Sequence, residues 1–165
     1  MADVSNSNLL QEIKGIQHLK DAFVVLIKTE WNAAIVDELE RGCMAILKSS
    51  GIRFKTIVVP GAVEIPFAIQ QCRANSNSVA AYIALGCVIR GDTPHFEYVC
   101  QSVIQGITQL NVMLPVPVIF GVLTVNTVEQ AQERIGGAHG HKGEEAAITA
   151  IKMMLLNQEI TRQKL

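Results

Sequence analysis

Val79–Ile89 (VAAYIALGCVI) is apolar at nearly every position, so a strand built from it has to be covered on both faces. A strand with one wet face alternates apolar and polar residues, and this run does not. It therefore predicts the middle of a parallel sheet with helices above and below. Three further runs fit that frame: Ala22–Ile27 (AFVVLI), Ile52–Val59 (IRFKTIVV, closed by Pro60-Gly61) and Val116–Leu123 (VPVIFGVL). Between them the period turns helical. Ile35, Leu39, Gly42/Cys43 and Ile46 share one face, and Ser49-Ser50-Gly51 ends that helix. A second helix starts near Glu64 with Pro66 in its first turn, and Phe96, Val99, Val103, Ile107 and Leu110 mark a third. Thr127-Val128-Glu129-Gln130 reads as a capping box opening a short helix, and Glu144–Glu159 is the last amphipathic segment. Four strand–helix units without a repeat predict an α/β fold: a three-layer α/β/α sandwich around a four-stranded parallel sheet with right-handed crossovers. Residues 21–165 form a single domain in this reading. Residues 1–20 fall outside the alternation, as an N-terminal arm or an extra strand, and pairing with a neighbouring subunit is the favoured alternative.

Apolar residues make up 49% of the 165-residue chain and charged residues 18%, more apolar surface than one small monomer has to bury. The surplus predicts a homo-oligomer. It does not predict a membrane span: the longest run, Val112–Leu123, is broken by Pro115 and Pro117 and falls short of the ~18 residues required. A net charge of −1 without basic stripes argues against nucleic acid. The first twenty residues carry Asp3 and Glu12 and no continuous apolar core, so no secretory signal is expected. Cys43, Cys72, Cys87 and Cys100 contain no CxxC pair and read as buried thiols in a reducing, cytoplasmic setting.

In open parallel sheets, ligands bind beyond the carboxyl ends of the strands, and the unusual residues of this chain collect there. The first strand leads into Glu30-Trp31-Asn32, the second into Gly61-Ala62-Val63-Glu64, the third into Arg90-Gly91-Asp92-Thr93-Pro94-His95, and the fourth into Thr124-Val125-Asn126. Asp92 and Thr93 precede a helix start, where backbone N–H groups and the Thr93 hydroxyl can hold an anion, with His95 beside it to move protons. From spacing alone, simple helix capping explains them equally well. Trp31 offers a ring for stacking on a heterocycle, or a contact to the first helix turn. Arg134–Lys142 (RIGGAHGHK) sets cations among glycines: a flexible phosphate-binding turn, or a solvated kink between helices. It is no P-loop, and His139 and His141 lack a third ligand at metal-binding spacing.

Five stretches, in order, resemble the lumazine synthase family: EWN at 30–32, VPGAVEIPFA at 59–68, GCVIRGDTPHFEYV at 86–99, PVIFGVLT at 117–124 and AHGHKGEEAA at 138–147. The resemblance implies a flavodoxin-like fold. It also implies condensation of 5-amino-6-(D-ribitylamino)uracil with 3,4-dihydroxy-2-butanone 4-phosphate, giving 6,7-dimethyl-8-ribityllumazine, phosphate and water. No metal and no organic cofactor are implied. Trp31 would stack on the pyrimidine, Ala62, Val63, Glu64 and Ile65 would hold the ribityl chain, and Val88 and Ile89 would line the ring pocket. Asp92, Thr93 and Arg134 would bind phosphate, and His95 would shuttle protons. Phe120, Arg134 and Lys142 would come from the adjacent subunit of a pentamer or a multiple of it, and riboflavin synthase is a candidate partner. Three residues depart from the family pattern: Trp31 in place of a common phenylalanine, Val63 in place of an aromatic, and His141 in place of the asparagine of a GNKG turn. An archaeal-type riboflavin synthase shares the ancestry, but its reaction has no use for the phosphate set Thr93, His95 and Arg134. A non-catalytic flavin-binding protein would have no use for His95 and Lys142.

Overall fold

The computed structural model describes residues 8–10 and 13–163. Four strands, β1 (Phe23–Thr29), β2 (Arg53–Val59), β3 (Ala81–Ile89) and β4 (Val118–Val125), form one parallel sheet in the order β2-β1-β3-β4. The helices between them are α1 (Ala33–Ser49), α2 (Ile65–Asn75) and α3 (His95–Met113), followed by α4 (Val128–Gln132) and α5 (Lys142–Gln163). This is the three-layer flavodoxin-like arrangement expected, with strand limits shifted by one or two residues.

The side-chain alternation of the central strands makes the two layers. Val24 and Leu26 of β1, with Ala81, Ile83, Leu85 and Cys87 of β3, pack toward α1 and α5. Val25 and Ile27, with Tyr82 and Ala84, pack toward α2 and α3. Both sets are buried, which is why the β3 segment carries no polar face. Gly106 of α3 lets that helix settle on α2, because a Cβ there would lie 2.5 Å from Pro66 Cγ.

The capping box forms with a changed return arm. Thr127 Oγ1 accepts from the Gln130 N–H at 3.3 Å, but Gln130 Oε1 accepts from the N–H of Asn126, one residue before the cap. The glycine-rich segment is not a plain kink between helices. It pairs as a short antiparallel hairpin, β5 (Ile135–Gly137) with β6 (Gly140–His141), using positive φ at Gly136 and Gly140. The last helix consequently begins at Lys142, not at Glu144. Of the expected arm, residues 1–7 and 11–12 lie outside the described residues. Ile16–Leu19 is a 3-10 turn with Leu19 buried in the α1/α5 layer, and Lys152 Nζ donates to the carbonyls of Asn8 and Leu9.

Candidate active site

The chain runs from β1 outward to β2 and then crosses to β3 on the other side, so the strand order reverses between β1 and β3. Such a switch point opens a crevice at the carboxyl edge. The loops after β1, β2 and β3 meet there and are tied together by hydrogen bonds. The Glu30 N–H donates to Val59 O at 2.9 Å, zipping the first two loops. Asn32 Nδ2 donates to Cys87 O at 2.8 Å, tying the first loop to the end of β3. Asn32 holds a left-handed backbone conformation, φ 58°, which Asn tolerates better than most residues.

On this frame Trp31 is 73% exposed, with its indole beside Gly61. Gly61 sits close to both: a Cβ there would lie 3.0 Å from Glu64 Oε2, the tip of an exposed side chain, and 3.6 Å from Trp31 Cδ1. Ala62–Glu64 form a 3-10 turn leading into α2, with Val63 and Glu64 exposed and Ala62 half-buried. Ile65 differs: its side chain is fully buried in the α2/α3 layer and its N–H bonds to Ala62 O. Val88 and Ile89 are neighbours on a strand, so they face opposite layers, Val88 toward α2/α3 and Ile89 toward α1/α5. What they share toward a ligand is their backbone edge.

Asp92, Thr93 and His95 are exposed at the start of α3. Thr93 Oγ1 accepts from the His95 N–H at 3.4 Å and the Glu97 N–H donates to Pro94 O at 3.1 Å, while the N-cap residue, Pro94, makes no side-chain hydrogen bond. Arg90, to which sequence reasoning assigned no task, clamps this loop. Its N–H donates to Val125 O at 2.9 Å, Nε donates to Asn126 Oδ1 at 2.9 Å, and its guanidinium lies 4.2 Å from the Phe96 ring centroid. It also pairs with Glu97, and that hydrogen bond holds the Glu97 carboxyl below the usual carboxylate range. The guanidinium is spent on structure, and Thr93 and His95 are left exposed beside it.

Phe120 and Lys142 gather elsewhere, and Arg134 follows α4. Phe120 pairs with Ala84 in the sheet, five residues before the Ile89–Val125 end, or about 16 Å down the strand at ~3.3 Å per residue. It is 40% exposed and lines a 380 Å³ cavity with Lys142, Glu145, Thr149 and Met153. Lys142 is 4% exposed, and its ammonium donates to both oxygens of Glu145 at 2.7 and 2.8 Å. Its backbone N–H donates to Arg134 O at 2.8 Å, and Arg134 donates from its guanidinium to Gln130 O at 2.7 Å. Lys142 is thus a buried, paired cation, not a solvated one. Glu145 was missed as its partner; only the i, i+3 spacing on a helix could have signalled it. The site residues therefore form two groups, a shelf at the strand ends and a cavity beside the edge strand β4 with Phe120 and Lys142, while Arg134 stands between α4 and the hairpin.

A family model for 6,7-dimethyl-8-ribityllumazine synthase matches residues 21–158. A protein of that name from Porphyromonas gingivalis is 51% identical over 137 residues, covering 81% of this chain and 84% of the relative. Relatives of the same name from Parabacteroides distasonis and Bacteroides fragilis are 47% and 48% identical over 132 residues, covering 78% of this chain and 82% and 92% of theirs.

Proposed function

Because the chain belongs to the 6,7-dimethyl-8-ribityllumazine synthase family, we infer that it is the enzyme performing this condensation in riboflavin biosynthesis. It joins 5-amino-6-(D-ribitylamino)uracil to 3,4-dihydroxy-2-butanone 4-phosphate and releases 6,7-dimethyl-8-ribityllumazine, phosphate and water. The attacking amine is part of the substrate, so the protein's tasks are orientation, proton movement and stabilisation of the departing phosphate.

One observation supports the assignment of roles best: the separation of the two residue groups. Trp31 stacks on the pyrimidine, with Ala62, Val63 and Glu64 along the ribityl chain and the Val88–Ile89 backbone edge on the ring. Ile65, being buried, contributes only through its backbone. Asp92 and Thr93 hold the phosphate at the α3 N-terminus, and His95 carries protons during imine formation and phosphate loss. Phe120 lies well down the edge strand from this shelf and shares a cavity with Lys142, and these two together with Arg134 complete the shelf of an adjacent subunit. The working unit is then a homopentamer, alone, paired as a decamer or closed into a sixty-subunit shell, in the cytoplasm, with riboflavin synthase as a candidate partner. Among the described residues no helix is long and apolar enough to cross a membrane.

The test mixes both substrates with the protein and follows lumazine fluorescence alongside phosphate release. The two should rise together. Riboflavin formed from lumazine alone would identify a dismutating riboflavin synthase instead, and neither signal would leave a binding protein. Light scattering of the same sample gives the assembly, and a monomer that turns over at full rate would overturn the shared site.

A further inference from the structure

Neither histidine of the glycine-rich segment has a task in the reaction, yet His141 reaches both α1 and the start of α5. Its ring lies flat against Gly42 of α1: a Cβ on Gly42 would overlap the imidazole, at 2.5 Å from Nδ1 and 2.7 Å from Nε2. The Nδ1 atom accepts from the Glu144 N–H at 3.4 Å, so the ring acts as an N-cap acceptor for α5, three residues before the donor. With Nδ1 accepting, the ring proton is on Nε2, which faces Glu38 Oε1 on α1 at 3.4 Å. The side chain is only 12% exposed. Immediately beside it, Gly143 brings α5 against α1 so closely that a Cβ there would overlap the Leu39 carbonyl. One residue thus sets the start of α5 against α1 in both height and rotation.

What depends on that mount is the pair of cations. Lys142 follows His141 directly, and its backbone N–H bonds to Arg134 O. His141 also faces Ile135, the next residue after Arg134, across the hairpin. We propose that His141 is a positioning residue for the reaction: by wedging on Gly42 and capping α5, it aims Arg134 and Lys142 at the phosphate-bearing substrate. The proposal rests on the reading of Arg134 as a phosphate ligand. His141 touches no substrate and acts through its neighbours.

The wedge makes a pair-specific demand. Gly42→Ala should be harmful while His141 is present and nearly harmless with the smaller Asn, which can still cap α5. Four variants, His141→Ala, His141→Asn, Gly42→Ala and the Gly42→Ala/His141→Asn double, are compared with Arg134→Ala by steady-state kinetics and thermal melting. His141→Ala should raise KM for the sugar phosphate about tenfold and leave KM for the pyrimidine unchanged, a displacement effect of the size small misplacements produce. His141→Asn should recover most of that loss. Gly42→Ala alone should resemble His141→Ala, and the double variant should resemble His141→Asn. A general loss of fold would lower kcat through the active fraction without moving one KM against the other. Equal damage from Gly42→Ala in both backgrounds, or an unchanged sugar-phosphate KM in His141→Ala, overturns the proposal while the site reading stands. If Arg134→Ala leaves the sugar-phosphate KM unchanged as well, the site reading itself falls and the proposal falls with it.

Discussion

At the scale of single residues, the site divides its labour between backbone and a few side chains. Thr93, His95 and the α3 N-terminus face solvent, whereas Arg90 beside them is committed to Asn126, Glu97 and Phe96. Orientation carries most of the rate in an amine–ketone condensation, and a single proton shuttle contributes less. His95→Ala should therefore lower kcat modestly, by about tenfold, short of the ~10²–10⁴ of a general acid–base step that dominates the barrier. Arg134→Ala should cost more in kcat/KM, because it removes a charge-assisted contact to phosphate. Steady-state assays of both variants check the ranking. An Arg134→Ala enzyme with normal kinetics would mean that phosphate binds elsewhere. Thr93 and His95 could be picked out in the sequence because a short polar stretch between an apolar strand and a helical period has few other uses. Arg90 could not, since an arginine in that stretch reads equally well as an anion ligand until its partners are known.

At the scale of elements, close backbone approach decides which substitutions the sheet tolerates. Gly121 on β4 stands where a Cβ would lie 2.7 Å from Ala84 O and 2.9 Å from Leu85 Cδ2. A carbonyl held in a parallel ladder moves at a cost, so Gly121→Ala should destabilise by about 1–3 kcal/mol, the usual range for overpacking. Gly91, with nothing within 4 Å of a built Cβ, provides the control: Gly91→Ala should change stability little. Urea titration of both variants measures the contrast, and equal midpoints would contradict it. The hairpin belongs to the same scale. Alternating glycines and cations have no hydrophobic period, so the sequence left a flexible turn and a kink both open. The pairing of Ile135 with His141 is a contact between backbones and has no signature in residue type.

At the scale of the whole molecule, the two-layer core governs the response to alkali. Burial pushes the Cys43 thiol up to about 12 and the Cys87 thiol up to about 11, from 9.0 in both cases. Both sit in the layer between the sheet and α1/α5. A folded pKa above the unfolded one means that the native state holds its proton longer, so the unfolded chain binds fewer protons above pH 9. This contribution is intact below pH 9 and is lost as pH rises from 9 through about 12. The melting temperature should fall across that window, and Cys43→Ala/Cys87→Ala should flatten the fall, as read by thermal scans against pH. The same thiols should resist alkylation at pH 8 until the protein is unfolded.

The sequence by itself determined the order of elements, the doubly covered central strand, the gathering of polar loops at the strand ends and the family. All of these reside in local period and in ordered motifs, which a linear reading can count. Only the tertiary structure decided that Lys142 is buried against Glu145, that Val88 and Ile89 face opposite layers, that Phe120 lies far down the edge strand from the shelf, and that His141 rests on Gly42. Glu38 and His141 stand 103 residues apart, and no local pattern encodes their meeting. It follows from how α5 docks on α1, where two glycines remove the side chains that would hold the helices apart.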